Sequence, residues 1–379
     1  MKFILKKPVK NKILIFDETC SDIIKNMVFY DVETGVLPTR FESVNLSLAV
    51  MFAFVSNLFN KTLLVDLLKT GSIKSKFGFL YKLYLLAFIR VVDPDVVVTF
   101  IDNNSFFHWL SRKYKKAKFY AIQNGLRNEM SVSDYLPPRP HSASIISIPN
   151  FFCFGSYEKD LYNKYGHDIG AFLPCGSLRA SYYKSSDVFK RYPNDRFDIC
   201  LVSEWEYSLF YKGLFPHIRK SLDVLNSYLS SYLLGKDLKV CVALRTNSKL
   251  EKEFYTKIYG DKLVLVDYNP GTFSTYSCMD RSDVVVNCFS TCGVEALGWN
   301  KKVLFCNFSG NHKFDIDQTP WFIKIENYEL FKEMIDKLIG MGEGDYVKST
   351  KDCAKYLMDY SNGPTHEYIR NVIYSELKN

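Results

Sequence analysis

The sequence predicts an α/β protein made of two Rossmann-like domains with parallel sheets. Three observations carry that expectation. Short apolar runs, many of them β-branched, such as Val96–Val98 and Val284–Val286, alternate with longer amphipathic stretches. That is the pattern of strands buried on both faces and joined by crossover helices. The alternation runs through the first half, lapses over a polar stretch and then restarts. Finally, 379 residues exceed what one hydrophobic core usually organises.

Residues 12–16 read as the first strand, ending at Asp17-Glu18-Thr19-Cys20-Ser21. Amphipathic helices are expected over residues 42–59 and 77–92. Asp93-Pro94 breaks the second of these, and residues 95–101 follow as a strand. A third strand, 118–122, runs into Gln123-Asn124-Gly125-Leu126-Arg127. After a polar loop with Pro137-Pro138-Arg139-Pro140, short strands at 151–154 and 171–173 flank a Tyr-rich helix. The stretch 177–196 is polar, aperiodic and contains Pro193. A linker over 181–196 therefore separates an N-terminal domain, 1–180, from a second domain, 197–327. There strands are expected at 197–202, 239–244, 263–266, 283–286 and 302–305, with helices at 211–234, at 250–259 and near Tyr276. Residues 328–379 read as helical, with Gly363-Pro364 separating the last two helices.

Hydrophobic residues make up 47% and charged residues 24%, a globular composition. The net charge of +8 suits an anionic ligand or an anionic membrane surface and is too weak to argue for nucleic acid. Ten cysteines are scattered singly, without zinc-ligand spacing, and read as reduced thiols of a cytoplasmic protein. Neither a metal nor a cofactor is expected. Met1–Pro8 mimics the start of a signal peptide, but its apolar run is only three residues long, so export is not expected. Basic residues interleave with aromatics between Lys74 and Arg90. That segment is expected either at a membrane interface, holding the protein peripherally near a lipid-linked acceptor, or inside the N-terminal domain.

In open α/β sheets, ligands bind outside the carboxyl ends of the strands. The polar residues expected at such ends are Asp17 and Glu18; Gln123, Asn124 and Arg127; Glu204 with Trp205; Arg245; and Ser290-Thr291. The block Ser282–Gly298 reads as strand, small-residue turn and helix start, where free N–H groups suit a phosphate. Ser290 and Thr291 either bond that phosphate or cap the helix, and Gly293 lets a ligand approach the backbone. Arg245 neutralises a donor phosphate or joins a surface salt bridge. Glu295 takes a sugar hydroxyl or is a solvated carboxylate on the helix face. Chemistry at a ligand hydroxyl needs a base or a nucleophile. Asn124 cannot be the base, and of the strand-end carboxylates Asp17, Glu18, Glu129, Glu204 and Glu206, Glu204 and Asp17 rank first as catalytic candidates. The alternative for each is a carboxylate that favours a helix dipole.

Ile122–Arg127, Ala243-Leu244-Arg245, Phe273–Tyr276 and the block from Ser282 to Phe305 together resemble GT-B glycosyltransferases of bacterial surface-carbohydrate (lipopolysaccharide and capsule) biosynthesis. Some neighbours of that group are similar to retaining Kdo transferases. The resemblance implies two Rossmann-like domains facing a cleft, with a nucleotide-sugar donor on the C-terminal one. The donor it favours is a CMP-sugar such as CMP-Kdo, and the acceptor a growing glycan or a lipid-linked one on the N-terminal domain. His217, in Phe215-Pro216-His217, resembles in reversed order the His-Pro phosphate pair of CMP-sialic acid transferases, or else packs on a helix. The alternatives are a CDP-glycerol-type phosphopolyol transferase, a nucleotide-sugar 2-epimerase and a non-catalytic nucleotide-sugar-binding protein.

Overall fold

The computed structural model describes residues 2–40, 43–133, 145–186, 196–205 and 216–377. The first half contains β1 (Lys2–Ile4), β2 (Ile13–Phe16), α1 (Ser21–Met27), β3 (Gly35–Leu37) and β4 (Ser43–Asn45). Then come α2 (Leu48–Leu58), α3 (Lys61–Leu68), α4 (Ile73–Val92), β5 (Val96–Thr99) and α5 (Ser105–Lys113). It closes with β6 (Lys118–Ile122), α6 (Glu129–Ser133), β7 (Ser147–Cys153), α7 (Tyr157–Lys164), β8 (Asp168–Pro174) and α8 (Leu178–Ser185). The second half runs β9 (Phe197–Val202), α9 (Pro216–Tyr232), β10 (Val240–Ala243), α10 (Lys249–Tyr259) and β11 (Leu263–Val266). It continues with α11 (Ser274–Arg281), β12 (Ser282–Asn287), α12 (Thr291–Gly298), β13 (Lys302–Cys306) and β14 (Phe322–Ile323). Helices α13 (Tyr328–Gly340), α14 (Glu343–Leu357) and α15 (Thr365–Leu377) end the chain.

Each half holds a six-stranded parallel sheet, ordered β3-β2-β5-β6-β7-β8 and β11-β10-β9-β12-β13-β14. The second is the Rossmann order, with its reversal between β9 and β12. In the first, the order reverses between β2 and β5. The strands read as continuous apolar runs because both faces are covered. On β2, Leu14 and Phe16 join the core beneath α4 and α5, while Ile13 and Ile15 join the core on the other face.

Three expectations are corrected. Helix α8 occupies the start of the expected linker, with Ser177 accepting the Ala180 N–H as its cap, and residues 187–195 lie outside the described set. The front of the helix expected at 42–59 is instead β4, which pairs with β1. From Phe79 to Val92, α4 is largely buried, so core packing replaces the interfacial reading for that part of the chain.

The terminal helices divide between the halves. Phe331, Ile335 and Leu338 of α13 and Tyr346, Ala354 and Leu357 of α14 pack on the second core. By contrast, α15 returns to the first sheet, where Ile369 and Ile373 are fully buried beside Ile13 and Val96. The crossover is pinned by Asp359 N–H to the Phe154 carbonyl at 2.7 Å and by the Thr365 hydroxyl to the Cys175 carbonyl.

Candidate active site at the cleft

At the switch point of the second sheet, Glu204 follows β9 and the turn Cys288–Ser290 follows β12. Glu204 Oε1 accepts the N–H groups of Cys288, Phe289 and Ser290 at 3.1, 2.8 and 2.9 Å. The side chain is 3% exposed, and burial pushes its pKa up to about 7, against the three N–H groups and Arg245, which pull it down. This carboxylate fixes the turn that starts α12. Ser290 caps the helix by accepting the Cys292 N–H at 3.3 Å. The Thr291 hydroxyl accepts the Leu126 N–H at 2.8 Å, joining the turn to the loop after β6 in the other half.

Gly293 answers to packing, which corrects the reading of it as a point of ligand approach. A Cβ there would lie 2.5 Å from the Asn287 amide nitrogen and 2.8 Å from the Phe305 ring. Gly293→Ala is expected to destabilise the protein by about 1–3 kcal/mol through overpacking, measured by urea unfolding. An unchanged midpoint would remove the packing argument.

Glu295 is buried rather than solvated on a helix face. Its Oε1 accepts the Ser177 hydroxyl at 2.5 Å and the Tyr276 hydroxyl at 3.0 Å. Burial raises its pKa, against those two hydroxyls and Arg179. Because Ser177 caps α8, Glu295 ties the second sheet's helix to the joint between the halves.

Arg245 is exposed beyond β10, and its positive charge lowers the pKa of both Glu204 and Cys292. Its backbone N–H and that of Thr246 bond the two oxygens of buried Glu251 at 3.1 and 3.0 Å. Glu251 also accepts the Ser203 hydroxyl, so one carboxylate holds the ends of both β9 and β10. His217 falls in the first turn of α9, and its side chain lies outside the described residues.

In the first half, Asp17 is 0% exposed with φ of 81°. It accepts the Thr19 N–H at 2.9 Å and Arg40 Nε at 3.4 Å. A base must reach the acceptor hydroxyl. Asp17 and Glu204, the two carboxylates expected to carry catalysis, are both turned into the fold here and hold backbone in place.

The loop after β6 is a network rather than a row of free donors. Gln123 donates to Glu158 at 2.8 Å and to the Gly125 carbonyl at 3.0 Å, and accepts the Phe154 N–H at 2.8 Å. Arg127 grips Asp102 with Nε at 2.9 Å and with Nη2, which also bonds Asn124 Oδ1 at 2.9 Å. Burial pushes the Glu158 pKa up to about 7, against Gln123, the Gly155 N–H and Arg127.

A cleft of about 470 Å³ opens between the halves. Asp22, Asn26, Arg179 and Tyr182 line it from one side, and Asn269, Phe273, Thr275, Tyr276 and Cys292 from the other. Two helix starts reach it. That of α12 supplies Cys292, and α11 begins on Phe273, in left-handed conformation with no side-chain cap. Among the described residues, no group of three His, Cys, Asp or Glu is placed to hold a metal ion.

Sequence reasoning missed Asp102, Glu158, Arg179 and Glu251. A signal existed for Glu251, because Ser248-x-x-Glu251 has capping-box spacing. Ser248 does accept the Glu251 N–H at 3.2 Å, while the carboxylate reaches onward to the strand ends. Arg179 carried no signal, since its place depends on how α8 meets the second half.

No protein-family model matches the chain, and no curated protein matches it by sequence. Solved structures do. MnaA of S. aureus, in a co-structure with UDP, is 16% identical with a TM-score of 0.55, over 100% of this chain and 97% of that one. A variant of the wall teichoic acid polymerase TagF is 12% identical with a TM-score of 0.55, over 98% and 90% of the two chains. The chain has the GT-B fold. The UDP-GlcNAc 2-epimerase of Neisseria meningitidis, bound to UDP-GlcNAc, shares the GT-B arrangement at 14% identity and a TM-score of 0.53, over 100% of both chains. The loop Gln123–Arg127 of one half and the turn Cys288–Thr291 of the other touch through Leu126 and Thr291.

Proposed function

We propose that the protein is a glycosyltransferase, using a nucleotide-activated sugar to extend a bacterial surface polysaccharide or a lipid-linked acceptor. One observation carries the reading. The cleft of about 470 Å³ meets the starts of α11 and α12 and has Arg179 in its wall, and the charge of Arg245 is felt at Glu204 and at Cys292 on α12. The N–H groups at the start of α11, which has no side-chain cap, and guanidinium groups at the carboxyl edge of a Rossmann sheet are what a nucleotide phosphate needs. The volume falls in the range of small-ligand clefts. In this reading Phe273 and Tyr182 offer ring faces for the base, and Arg245, Ser290 and Thr291 attend the phosphate. Glu295 holds Tyr276 and Ser177 in place at the wall.

The donor is proposed from the resemblance as a CMP-sugar such as CMP-Kdo. Neighbours solved with UDP and UDP-GlcNAc support a uridine nucleotide as the second reading, with transfer or epimerisation as the reaction. A thermal-shift panel of CMP, UMP, CDP, UDP and GDP separates these donors. A nucleotide at about a hundred times its dissociation constant stabilises the fold by about 2.7 kcal/mol. Release of free nucleotide from the matching sugar donor then distinguishes an enzyme from a binding protein. Arg245→Ala is expected to weaken nucleotide binding by about 1.5–3 kcal/mol, the worth of a charge-assisted hydrogen bond. Equal affinity of the two proteins by calorimetry would take Arg245 out of the phosphate site, and no shift with any nucleotide would overturn the functional reading.

A further inference from the structure

The N-terminal half carries an apolar surface that the described residues leave exposed. Along α2, Leu48, Phe52, Val55 and Phe59 recur at intervals of four, three and four residues, which places them on one helix face. They are exposed by 89%, 80%, 43% and 81%. The stripe continues into α3 with exposed Leu64, Val65 and Leu68, and into the first turns of α4 with Ile73 and Phe77. The opposite face of α2 is anchored. Asn57 is fully buried, donates to the Leu83 carbonyl at 2.8 Å and accepts from Arg90. The outward rings are therefore not waiting for a slot inside the fold. Scattered apolar residues on a surface are ordinary, but a run of this size marks an interaction site.

The charge around the patch identifies the occupant. Between Leu46 and Gly78 the chain has four lysines, Lys61, Lys69, Lys74 and Lys76, and one acid, Asp66. That acid is paired to Lys113 at 3.0 Å. Lys61 opens α3, and Lys74 and Lys76 sit in the first turns of α4, with no acidic residue in either first turn. Cations at helix N-termini oppose the helix dipole, so helix stability does not account for them. An anionic surface does. No single helix among the described residues is long and apolar enough to cross a bilayer; α2 and α3 together have the length and composition, but the pair is bent by 72° at the break between them. The geometry suits helices lying in the interface, with apolar rings in the acyl boundary and lysines at the headgroups.

We propose that α2, α3 and the start of α4 seat this protein on a bilayer containing anionic phospholipid. The test is flotation of the full chain with phosphatidylcholine vesicles, with and without phosphatidylglycerol. The wild-type protein is expected to float with the anionic vesicles and to be released by salt. Phe52→Glu combined with Phe59→Glu should abolish flotation with an unchanged melting temperature, since both rings are exposed. Each of Lys69→Gln and Lys74→Gln should lower affinity for anionic vesicles about fivefold at low salt. Failure of the wild-type protein to float, or equal flotation of the Phe52/Phe59 variant, would overturn the proposal. So would a wild-type dimer that this variant converts to monomer without any vesicle binding, because the patch would then join two copies of the chain. Nucleotide binding is read separately and does not enter these outcomes.

Discussion

Replacing Arg127 by alanine is expected to cost about 3–5 kcal/mol of stability. Asp102 is fully buried, and its carboxylate is held by Arg127 through two nitrogens, with the Asn124 N–H as a third donor at 3.3 Å. Losing the guanidinium leaves a desolvated charge with one backbone donor, and the penalty is chiefly that of the stranded carboxylate. Arg127→Lys keeps the charge but not the planar fork, and should fall between the two. Combining Arg127→Ala with Asp102→Ala should recover part of the loss, because the orphaned charge goes too. The loop also reaches the second half through Leu126 and Thr291, so the alanine variant should weaken nucleotide binding in proportion to its loss of order. Urea unfolding of the wild type, Arg127→Ala, Asp102→Ala and the double variant measures the cycle. A single variant within about 0.5 kcal/mol of wild type, the range of ordinary surface changes, would refute a structural role for the pair.

Glu204 gives the second large effect, and it depends on pH. Burial lifts its pKa from 4.5 to about 7, so the folded state holds the proton more tightly than the unfolded chain does. The stability contributed by this group is then fully present below pH 4.5 and is lost as pH rises to about 7. At about 1.4 kcal/mol per pH unit the loss amounts to about 3 kcal/mol. Glu158, raised to about 7 by its own burial, adds a slope of the same sign. Glu204→Gln should flatten its share of the profile and leave that of Glu158. Should the stability–pH curves of the variant and the wild type superimpose, Glu204 does not titrate in this window. The same variant tests the catalytic role expected from sequence. A loss of turnover of about a hundredfold or more with nucleotide affinity retained would place the carboxylate in the proton transfer. Turnover close to wild type would leave it as the residue that positions the α12 turn.

Much of the architecture was legible because strand burial is a local property of sequence. The runs Ile13–Phe16, Val96–Val98 and Val284–Val286 announce strands covered on both faces wherever they are placed. Short edge pieces were not legible. β1, β3, β4 and β14 span two or three residues, too few to show a period. Strand-end polar residues were also found, but the bonds they make within the fold were not legible. Gln123, Glu204 and Glu295 looked like groups facing a ligand, and each also makes hydrogen bonds that hold the protein's own backbone or side chains.

By itself the sequence determined the alternation, the two parallel sheets and the turns at their carboxyl ends, because hydrophobic period and turn chemistry are set by neighbours a few residues apart. Only the tertiary structure decided which charges meet. Glu204 finds the Cys288 N–H 84 residues away because β9 and β12 lie side by side at the reversal of strand order. Glu295 finds Ser177 across 118 residues because the two halves join there. Helix α15 returns to the first sheet, where Ile369 and Ile373 complete a core begun by Ile13. Its spacing announces a helix and says nothing of which half it covers. Apolar burial is paid in area and is indifferent to the partner, whereas a hydrogen bond or a charge pair requires one atom at one distance.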